Sequence, residues 1–368
     1  MQCFDPVQHG QVLVKTAKPS GQDGFFQRGY RKGVAMLLAA GCSMAFAQSP
    51  ELKTLDIGVG PGWAAGGHAI IAKEKGFFQE EGLETVNLKV FPAGMMQLEG
   101  MVSGAVKFAN ATQAPLLTLR SNRLPVVVLS SLAVADRTTG LLVRKSANVK
   151  QPKQLEGLKL GLLKGSPAEQ MLQLICEAHS VDCAKIEVVN LPPPAQLASL
   201  ASGVIDGMVT WQPWIHKAQQ EVQADLLQTG TESRFEDSRG QAKRVDFTRS
   251  VLASTQGFVD SHPNTVKAVL RAYLKAQRFV ERPENYDEVV ALYSAFFNDD
   301  PALNQVLLKE NRNTLALDAD YEQDLAAVAG FLEKTGRLRR PVDIKELTVG
   351  APLAELAPAL VNDAFKNR

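Results

Sequence analysis

Residues 97–106 read QLEGMVSGAV, and residues 196–205 read QLASLASGVI. The two stretches align without a gap through QAP at 113–115 and QPW at 212–214, and Gln, Leu, Ser and Gly coincide in both copies. Apolar positions match through most of the remainder. One segment of the chain therefore occurs twice, and we expect its two copies to fold alike.

The repeat extends upstream of these stretches. IGVGPG at 57–62 corresponds to LGLLKG at 160–165, and VNLKVF at 86–91 corresponds to IEVVNL at 186–191. Each copy reads strand, glycine turn, helix, strand, helix, strand and loop, an order typical of mainly parallel sheets flanked by helices. The sequence thus predicts an α/β protein with two similar lobes that face each other across a ligand cleft.

Length and composition allow two domains with real cores, because the chain has 368 residues and 45% of them are hydrophobic. The formal net charge is only +1. A nearly neutral chain gives no electrostatic reason to expect nucleic acid or a charged membrane surface as a partner.

The first 47 residues predict a leader rather than part of the fold. Basic residues precede the apolar run 33–40, and AFA at 45–47 precedes Gln48, which is the pattern of a secretory signal and its cleavage site. A buried core helix is the alternative for the apolar run. AAGC, ending at Cys42, also resembles a lipobox, so a lipidated Cys42 at the mature N-terminus is a second possible outcome of export.

The remaining chain divides into two lobes. We predict that residues 48–138 together with 252–368 form the first lobe, and that residues 139–251 form the second. The chain is expected to cross over at 139–143 and to return near 251–259, and the part that follows is predicted to be helical. Two crossings would hinge the lobes and permit closure on a ligand.

Cys176 and Cys183 are the two cysteines outside the leader. Export would place them in an oxidising compartment, where a disulfide bond closing a short loop can form. Two free thiols are the alternative, because the sequence does not give the Cα separation that a bridge requires. Either outcome gives these residues a structural role.

A family resemblance emerges from a series of short motifs. GFFQEEGL at 76–83 resembles the opening of solute-binding proteins of the nitrate, sulfonate and taurine type. Further motifs follow in the family's order, namely LVRK at 142–145, LEGLK at 155–159, KGS at 164–166, VVNL at 188–191, ASG at 201–203, DG at 206–207 and WQPW at 211–214. The resemblance covers nearly all of residues 52–340.

This resemblance implies a two-lobed periplasmic-binding-protein fold of type II (the Venus-flytrap fold), with a helical C-terminal part. It also implies a monomeric periplasmic receptor that delivers a small solute to the permease subunits of an ABC importer. No cofactor and no nucleic acid are implied. Fold resemblance does not fix the ligand, so the solute has to be argued from the site.

Ligands of parallel sheets bind beyond the carboxyl ends of the strands. Four segments are therefore expected to face the cleft: 60–66, 110–113, 165–168 and 210–214. The candidate contacts are Gly62, Trp63, Asn110, Thr112, Gln113, Thr139, Gly165, Ser166, Pro167, Ala168, Trp211 and Gln212.

The segment that begins at Gly165 predicts a helix start. Ser166 reads as the N-cap, Pro167 as the first helical residue and Glu169 as the partner that completes a capping box. The free N–H groups and positive dipole of a helix start suit an anion such as a sulfonate. A simple helix cap is the alternative. The family often has His at the position of Glu169, and this departure puts a simple anion in doubt. It often has Glu at the position of Gln212, and the neutral amide here puts an amine-binding carboxylate at that position in doubt.

Trp63 and Trp211 each follow a strand, where the ring could stack on a ligand or pack within the protein. Histidine spacing suggests no metal site, and neither a phosphate-binding loop nor paired catalytic carboxylates stand out. We therefore expect a receptor for a small organic anion or zwitterion, and not an enzyme. The alternatives are an enzyme or binding protein of the same fold for a pyrimidine or vitamin precursor, and a receptor that feeds a sensor protein.

Overall fold

The computed structural model describes residues 49–241 and 244–368. The predicted leader, residues 1–47, and the alternative lipidation site at Cys42 lie outside the described residues. Within the described ranges, no helix is both long enough and apolar enough to span a bilayer.

Eleven strands in the described part of the chain form two sheets, one of six strands and one of five. In chain order they are β1 Thr54–Val59, β2 Thr85–Val90, β3 Phe108–Thr112, β4 Val126–Val134, β5 Thr139–Val143, β6 Lys159–Leu162, β7 Glu187–Asn190, β8 Gly207–Trp211, β9 Asp225–Thr229, β10 Arg249–Thr255 and β11 Arg312–Asn313. We call the first sheet and its helices the first lobe, and the second sheet and its helices the second lobe.

The two sheets repeat one topology. The first has the order β11-β4-β10-β3-β1-β2 and the second the order β7-β6-β8-β5-β9. In the first sheet β10 runs antiparallel to both neighbours, and in the second β5 does the same. Each of these strands follows the other lobe in the chain. The predicted architecture of two mainly parallel α/β lobes is confirmed, and its antiparallel members are the two crossing strands and the two-residue edge strand β11.

Helices cover both sheets. They are α1 Gly67–Glu74, α2 Phe77–Glu80, α3 Gly94–Val102, α4 Gln113–Ser121, α5 Pro167–His179, α6 Pro193–Ala201, α7 Trp214–Glu221, α8 Gln256–Ser261, α9 Pro263–Val280, α10 Tyr286–Phe297, α11 Pro301–Glu310, α12 Ala319–Lys334, α13 Ile344–Leu347 and α14 Ala351–Leu356. Short 3₁₀ turns occur between them, the first at Trp63–Ala65.

The C-terminal helices belong to the first lobe. Their apolar side chains join one core with β1, β3, β4 and β10, whereas the second lobe has separate cores on the two faces of its sheet. Helix α9 shows why: Pro263 starts it, and Val266, Val269, Leu270 and Tyr273 form an apolar stripe that is completely buried. The predicted helical C-terminal part is present.

The crossing points differ from the prediction. Residues 139–143 and most of 251–259 lie in β5, β10 and α8, so hydrogen bonds hold them inside the lobes. The chain instead crosses at residues 135–138 and returns at Asp246, since Val245 packs in the core of the second lobe and Phe247 against that of the first. The predicted return boundary at 251/252 falls within β10, which lies wholly in the first sheet.

The third strand is also displaced from the prediction. The sequence predicts that the segment 110–113 lies beyond the end of a strand, but β3 runs from Phe108 to Thr112 and includes most of that segment. Asn110 remains in the ladder opposite Leu252, and its side-chain amide donates to the Gly58 carbonyl at 2.9 Å. A polar side chain can continue a buried strand when such a bond satisfies it.

Gly230 lies where the two crossing segments meet, and we predict that it is essential for folding. A methyl group there would lie 1.9 Å from the carbonyl oxygen of Asp136 and 2.5 Å from Cβ of Asp246. We expect Gly230→Ala to lower the free energy of unfolding by about 3 kcal/mol or more, because neither neighbour can move away freely.

The control is Gly330→Ala in the exposed middle of α12, where a methyl group would meet nothing within 4 Å. It should raise the free energy of unfolding by about 0.5–1 kcal/mol through helix propensity. Urea unfolding of both variants measures these changes. Equal effects of the two substitutions would contradict the close approach at Gly230.

Candidate functional site

The predicted glycine turns are present in both lobes. Gly62 follows β1 with φ +95°, and Gly165 follows β6 with φ +82°. Residues other than glycine rarely adopt this backbone conformation. A methyl group on Gly62 would lie 3.9 Å from the carbonyl oxygen of Gln212, which belongs to the opposite lobe. The first turn and the loop after β8 therefore face each other across the cleft, as the topology predicts.

Trp63 is buried, with 2% of its surface exposed. Its ring centroid lies 5.3 Å from that of Tyr293 and 6.5 Å from that of His68, and its Nε1 donates to Oδ1 of Asn313 at 2.6 Å. Burial lowers the pKa of His68 to about 4, which keeps this imidazole neutral near pH 7. The packing interpretation of Trp63 thus fits the structure better than an open stacking platform.

The loop after β8 contributes a direct link between the lobes. Gln212 is buried, its Nε2 donates to Oε2 of Glu310 at 3.1 Å, and its Oε1 accepts the His216 N–H. Burial raises the pKa of the Glu310 carboxyl. Trp211, the last residue of β8, is half-buried against the core of the second lobe. Gln212 and Glu310 therefore join the two lobes at the cleft.

Polar candidates at the end of β3 are already engaged inside the first lobe. Asn110 accepts a hydrogen bond from the Tyr273 hydroxyl at 3.1 Å in addition to its own bond to a main-chain carbonyl. Gln113, which begins α4, donates to the Phe247 carbonyl and accepts the Arg249 N–H. Thr112 is half-buried at the last position of β3. Asn110 and Gln113 thus hold strands together, in contrast to the predicted role of free ligand donors.

Thr139 is the first residue of β5, directly after the crossing segment, and is 1% exposed. It faces Asp246, where burial raises the pKa to about 6, and hydrogen bonds from Thr248 and Thr139 only partly offset that rise. The neighbouring carboxylate of Asp136 raises the pKa further. The structure therefore places Thr139 against the carboxyl of Asp246, in a buried position.

The helix start at Gly165 is already bound by a side chain of the protein, that of Glu169. Ser166 is the N-cap and Pro167 the first residue of α5, as predicted, but the Ser166 hydroxyl donates to the Leu163 carbonyl and the capping box is not formed. One carboxylate oxygen of Glu169 accepts the Gly165 N–H at 2.7 Å instead. The other binds the guanidinium of Arg337, which comes from the first lobe. Ala168, the next residue of this turn, is buried.

Cys176 and Cys183 form a disulfide bond with a Cα–Cα distance of 5.7 Å. It ties the end of α5 to the turn before β7. This bond lies within the second lobe and contributes to its framework.

Some residues at the cleft lie outside both copies of the repeat, so the repeat could not identify them. Glu310 and Asn313 reach the cleft because the two-residue strand β11 pairs with the end of β4, a pairing too short to predict. The polar run at 310–314 after an amphipathic helix was the available signal. Charged groups near the cleft that the sequence analysis missed are Arg137, Arg234, Glu310 and Arg337.

Two further findings limit what this site can do. Among the described residues, no group of three or more His, Cys, Asp or Glu side chains could hold a metal ion. A concavity of about 540 Å³ beside β9 includes Arg234 but none of the predicted ligand contacts. The groups between the lobes include the amide of Gln212, the carboxylates of Glu169 and Glu310 and the guanidinium of Arg337.

Comparison with known proteins agrees with this geometry. The model of the NMT1/THI5-like family matches residues 67–285, more than half of the chain. The taurine-binding periplasmic protein of Escherichia coli is 24% identical over 282 residues, which cover 73% of this chain and 84% of that protein. A putative aliphatic sulfonates-binding protein of Bacillus subtilis is 25% identical over 332 residues, 86% of this chain and 94% of that protein.

Solved structures share the fold. The periplasmic aliphatic sulphonate binding protein SsuA of Escherichia coli superposes with a TM-score of 0.66 at 17% identity, covering 80% of this chain and 91% of that one. The desulfurization enzyme DSZB superposes with a TM-score of 0.63 at 18% identity, covering 83% and 99%. The type II binding-protein fold is thereby confirmed. At such identities the likeness concerns fold alone, and this fold serves both binding proteins and an enzyme.

We predict that Asp246 makes stability depend on pH. Its pKa of about 6 in the folded state lies above the ordinary value of 3.8, so the folded protein retains a proton that the unfolded chain releases. The resulting stabilisation is complete below pH 4 and is lost as the pH rises through 6, on the order of 3 kcal/mol in total.

Asp246→Asn mimics the neutral carboxyl and keeps an acceptor for the Thr248 N–H. The stability of this variant relative to the wild type should therefore rise between pH 4.5 and pH 7.5. Urea unfolding of both proteins across this range measures it. A difference that stays constant with pH would show that Asp246 titrates normally.

We also predict that the Glu169–Arg337 pair couples the lobes. Its side chains are only 19% and 29% exposed. A double-mutant cycle of Glu169→Gln and Arg337→Gln, followed by thermal unfolding, should give a coupling of about 0.5–1 kcal/mol that weakens in high salt.

The matched control is Glu177–Lys334, a second pair between the same elements with side chains 49% and 74% exposed. Its coupling should be close to zero, because solvent screens it. Purely additive effects at Glu169 and Arg337 would contradict the coupling.

Proposed function

The chain belongs to the NMT1/THI5-like family, and from this premise we propose that it is the solute-binding receptor of an ABC importer. The observation that carries the proposal is the pair of matched sheets, whose strand ends meet at a cleft lined by Gly62, Gln212 and Glu310. Ligands bind at such strand ends in α/β sheets. The curated relatives that match most of the chain are named as binding proteins, which supports a receptor over an enzyme.

The ligand that the site supports best is a small organic anion or zwitterion of the sulfonate or taurine type. Neutral amides, guanidinium groups and a carboxylate lie around the cleft, and the relatives bind taurine or aliphatic sulfonates by name. Recognition of both signs of charge favours a polar organic solute over nitrate. No specific observation favours a pyrimidine or vitamin precursor, or a sensor protein as the recipient.

Capture is expected to follow lobe closure. The ligand would first bind one lobe, and rotation about residues 135–138 and Asp246 would then enclose it, provided that it binds the closed state more tightly than the open one. We propose that the protein acts as a periplasmic monomer and that its closed form contacts the permease subunits. Export through the leader at 1–47 is part of this proposal.

A thermal-shift screen of the purified protein tests the function. The panel contains taurine, alkyl and aryl sulfonates, nitrate, carboxylates and pyrimidines, with sodium chloride at equal ionic strength as the control. A ligand at 100 times its dissociation constant should add about 2.7 kcal/mol of stability, a shift of several degrees. We expect sulfonates to produce a thermal shift of this size.

X-ray scattering with and without saturating ligand then measures closure. A smaller radius of gyration with ligand is the expected result. A shift confined to pyrimidines would overturn the sulfonate assignment, and identical scattering profiles would argue against closure on the ligand.

A further inference from the structure

Glu310 occupies an electrostatically unfavourable position. It is the last residue of α11, where the negative end of the helix dipole disfavours a carboxylate, and it is largely buried between the lobes. Burial of a charge without a close partner is costly. Stability therefore gives no reason for a carboxylate at this position.

The hydrogen-bond partner of Glu310 within the described residues is neutral. Nε2 of Gln212 donates to it, and this amide cannot turn freely because its Oε1 accepts the His216 N–H. No ion pair of the described chain includes Glu310. The negative charge is thus held by both lobes but is not balanced by a contacting cation.

Two guanidinium groups lie near this carboxylate without touching it. Arg234 and Arg137 are close enough to lower the pKa of Glu310, although burial outweighs them. Both are exposed, and neither takes part in a recorded ion pair or side-chain hydrogen bond in the described ranges. Next to Glu310, the buried Oδ1 of Asn311 is a second acceptor that lacks a donor among the described residues. Near Glu310 there are thus a hydrogen-bond acceptor without a donor, Oδ1 of Asn311, and two guanidinium groups without an ion-pair partner among the described residues.

We propose that Glu310 is a specificity-determining residue that binds the ammonium group of a zwitterionic ligand between the lobes. This inference rests on the proposed receptor function and narrows its ligand class to amino-substituted sulfonates or similar zwitterions. An ammonium group supplies three hydrogen-bond donors and a positive charge, and either suits a carboxylate oxygen that Gln212 leaves free. Because Gln212 belongs to the other lobe, such a ligand would be held where the two lobes meet.

Isothermal titration calorimetry with a matched pair of ligands tests the proposal. Taurine and ethanesulfonate both carry a sulfonate on a two-carbon chain, and only taurine carries the ammonium group. Wild-type protein should bind taurine at least about tenfold more tightly, the usual effect of one charge-assisted hydrogen bond. Glu310→Gln should weaken taurine binding about tenfold or more and leave ethanesulfonate within about threefold of wild type.

Two further variants keep the test decisive. Glu284→Gln makes the same change at an exposed residue of the first lobe and should alter neither affinity. Glu310→Asp keeps the charge but shortens the side chain, and should weaken taurine binding without affecting ethanesulfonate. It also replaces Glu310→Gln if that variant fails to fold, which thermal unfolding will show.

The failures can be told apart. If wild-type protein binds both sulfonates equally well, or if Glu310→Gln weakens both alike, the receptor function stands and the role of Glu310 is overturned. If wild-type protein binds neither sulfonate, the sulfonate ligand class of the proposed function falls, and the role of Glu310 falls with it.

Discussion

Strand β10 completes the first lobe, because it lies between β3 and β4 although it follows the whole second lobe in the chain. The side-chain amide of Gln113 fixes its entry by donating to the Phe247 carbonyl at 2.6 Å and accepting the Arg249 N–H at 2.9 Å. The first sheet is therefore complete only when the chain has passed through the second lobe and returned. The same constraint limits the connection between the lobes to two short segments, which meet at Gly230 and Asp246. The position of the two segments that connect the lobes follows from this strand.

A buried ion pair joins β10 to the C-terminal helices. Nε and Nη2 of Arg249 both donate to Oδ2 of Asp324 in α12, at 3.0 and 2.9 Å, and Nη1 donates to the Ser131 hydroxyl of β4. Loss of one partner of such a pair leaves a buried charge and typically costs about 3–5 kcal/mol. Because α12 ends at Lys334 and Arg337 follows it, this pair also orients the cationic end of the helix toward the second lobe.

Charges across the cleft are complementary. Two ion pairs each join one side chain from the first lobe to one from the second, namely Glu169 with Arg337 and Glu177 with Lys334. The neutral amide of Gln212 adds a hydrogen bond to Glu310 between the same lobes. Complementary pairs of this kind specify how two surfaces meet more than how tightly they bind. A ligand that inserts both signs of charge between the lobes can replace part of this network without leaving either side unbalanced.

The sequence alone determined the two lobes, the succession of strands and helices in each, and the helical C-terminal part. The repeat marks the two copies, and the apolar periodicity and the helix-start residues act over a single strand or turn. The sequence also identified the two glycine turns, whereas the choice between a bridge and two free thiols at Cys176 and Cys183 was decided by the structure. The tertiary structure decided that Asn110, Gln113 and Thr139 are satisfied within the protein, although their polarity suggested ligand contacts. It also brought Glu310 to Gln212 and Arg337 to Glu169, across 98 and 168 positions of the chain. Such contacts depend on strand pairing and lobe packing, which no local pattern of residues encodes.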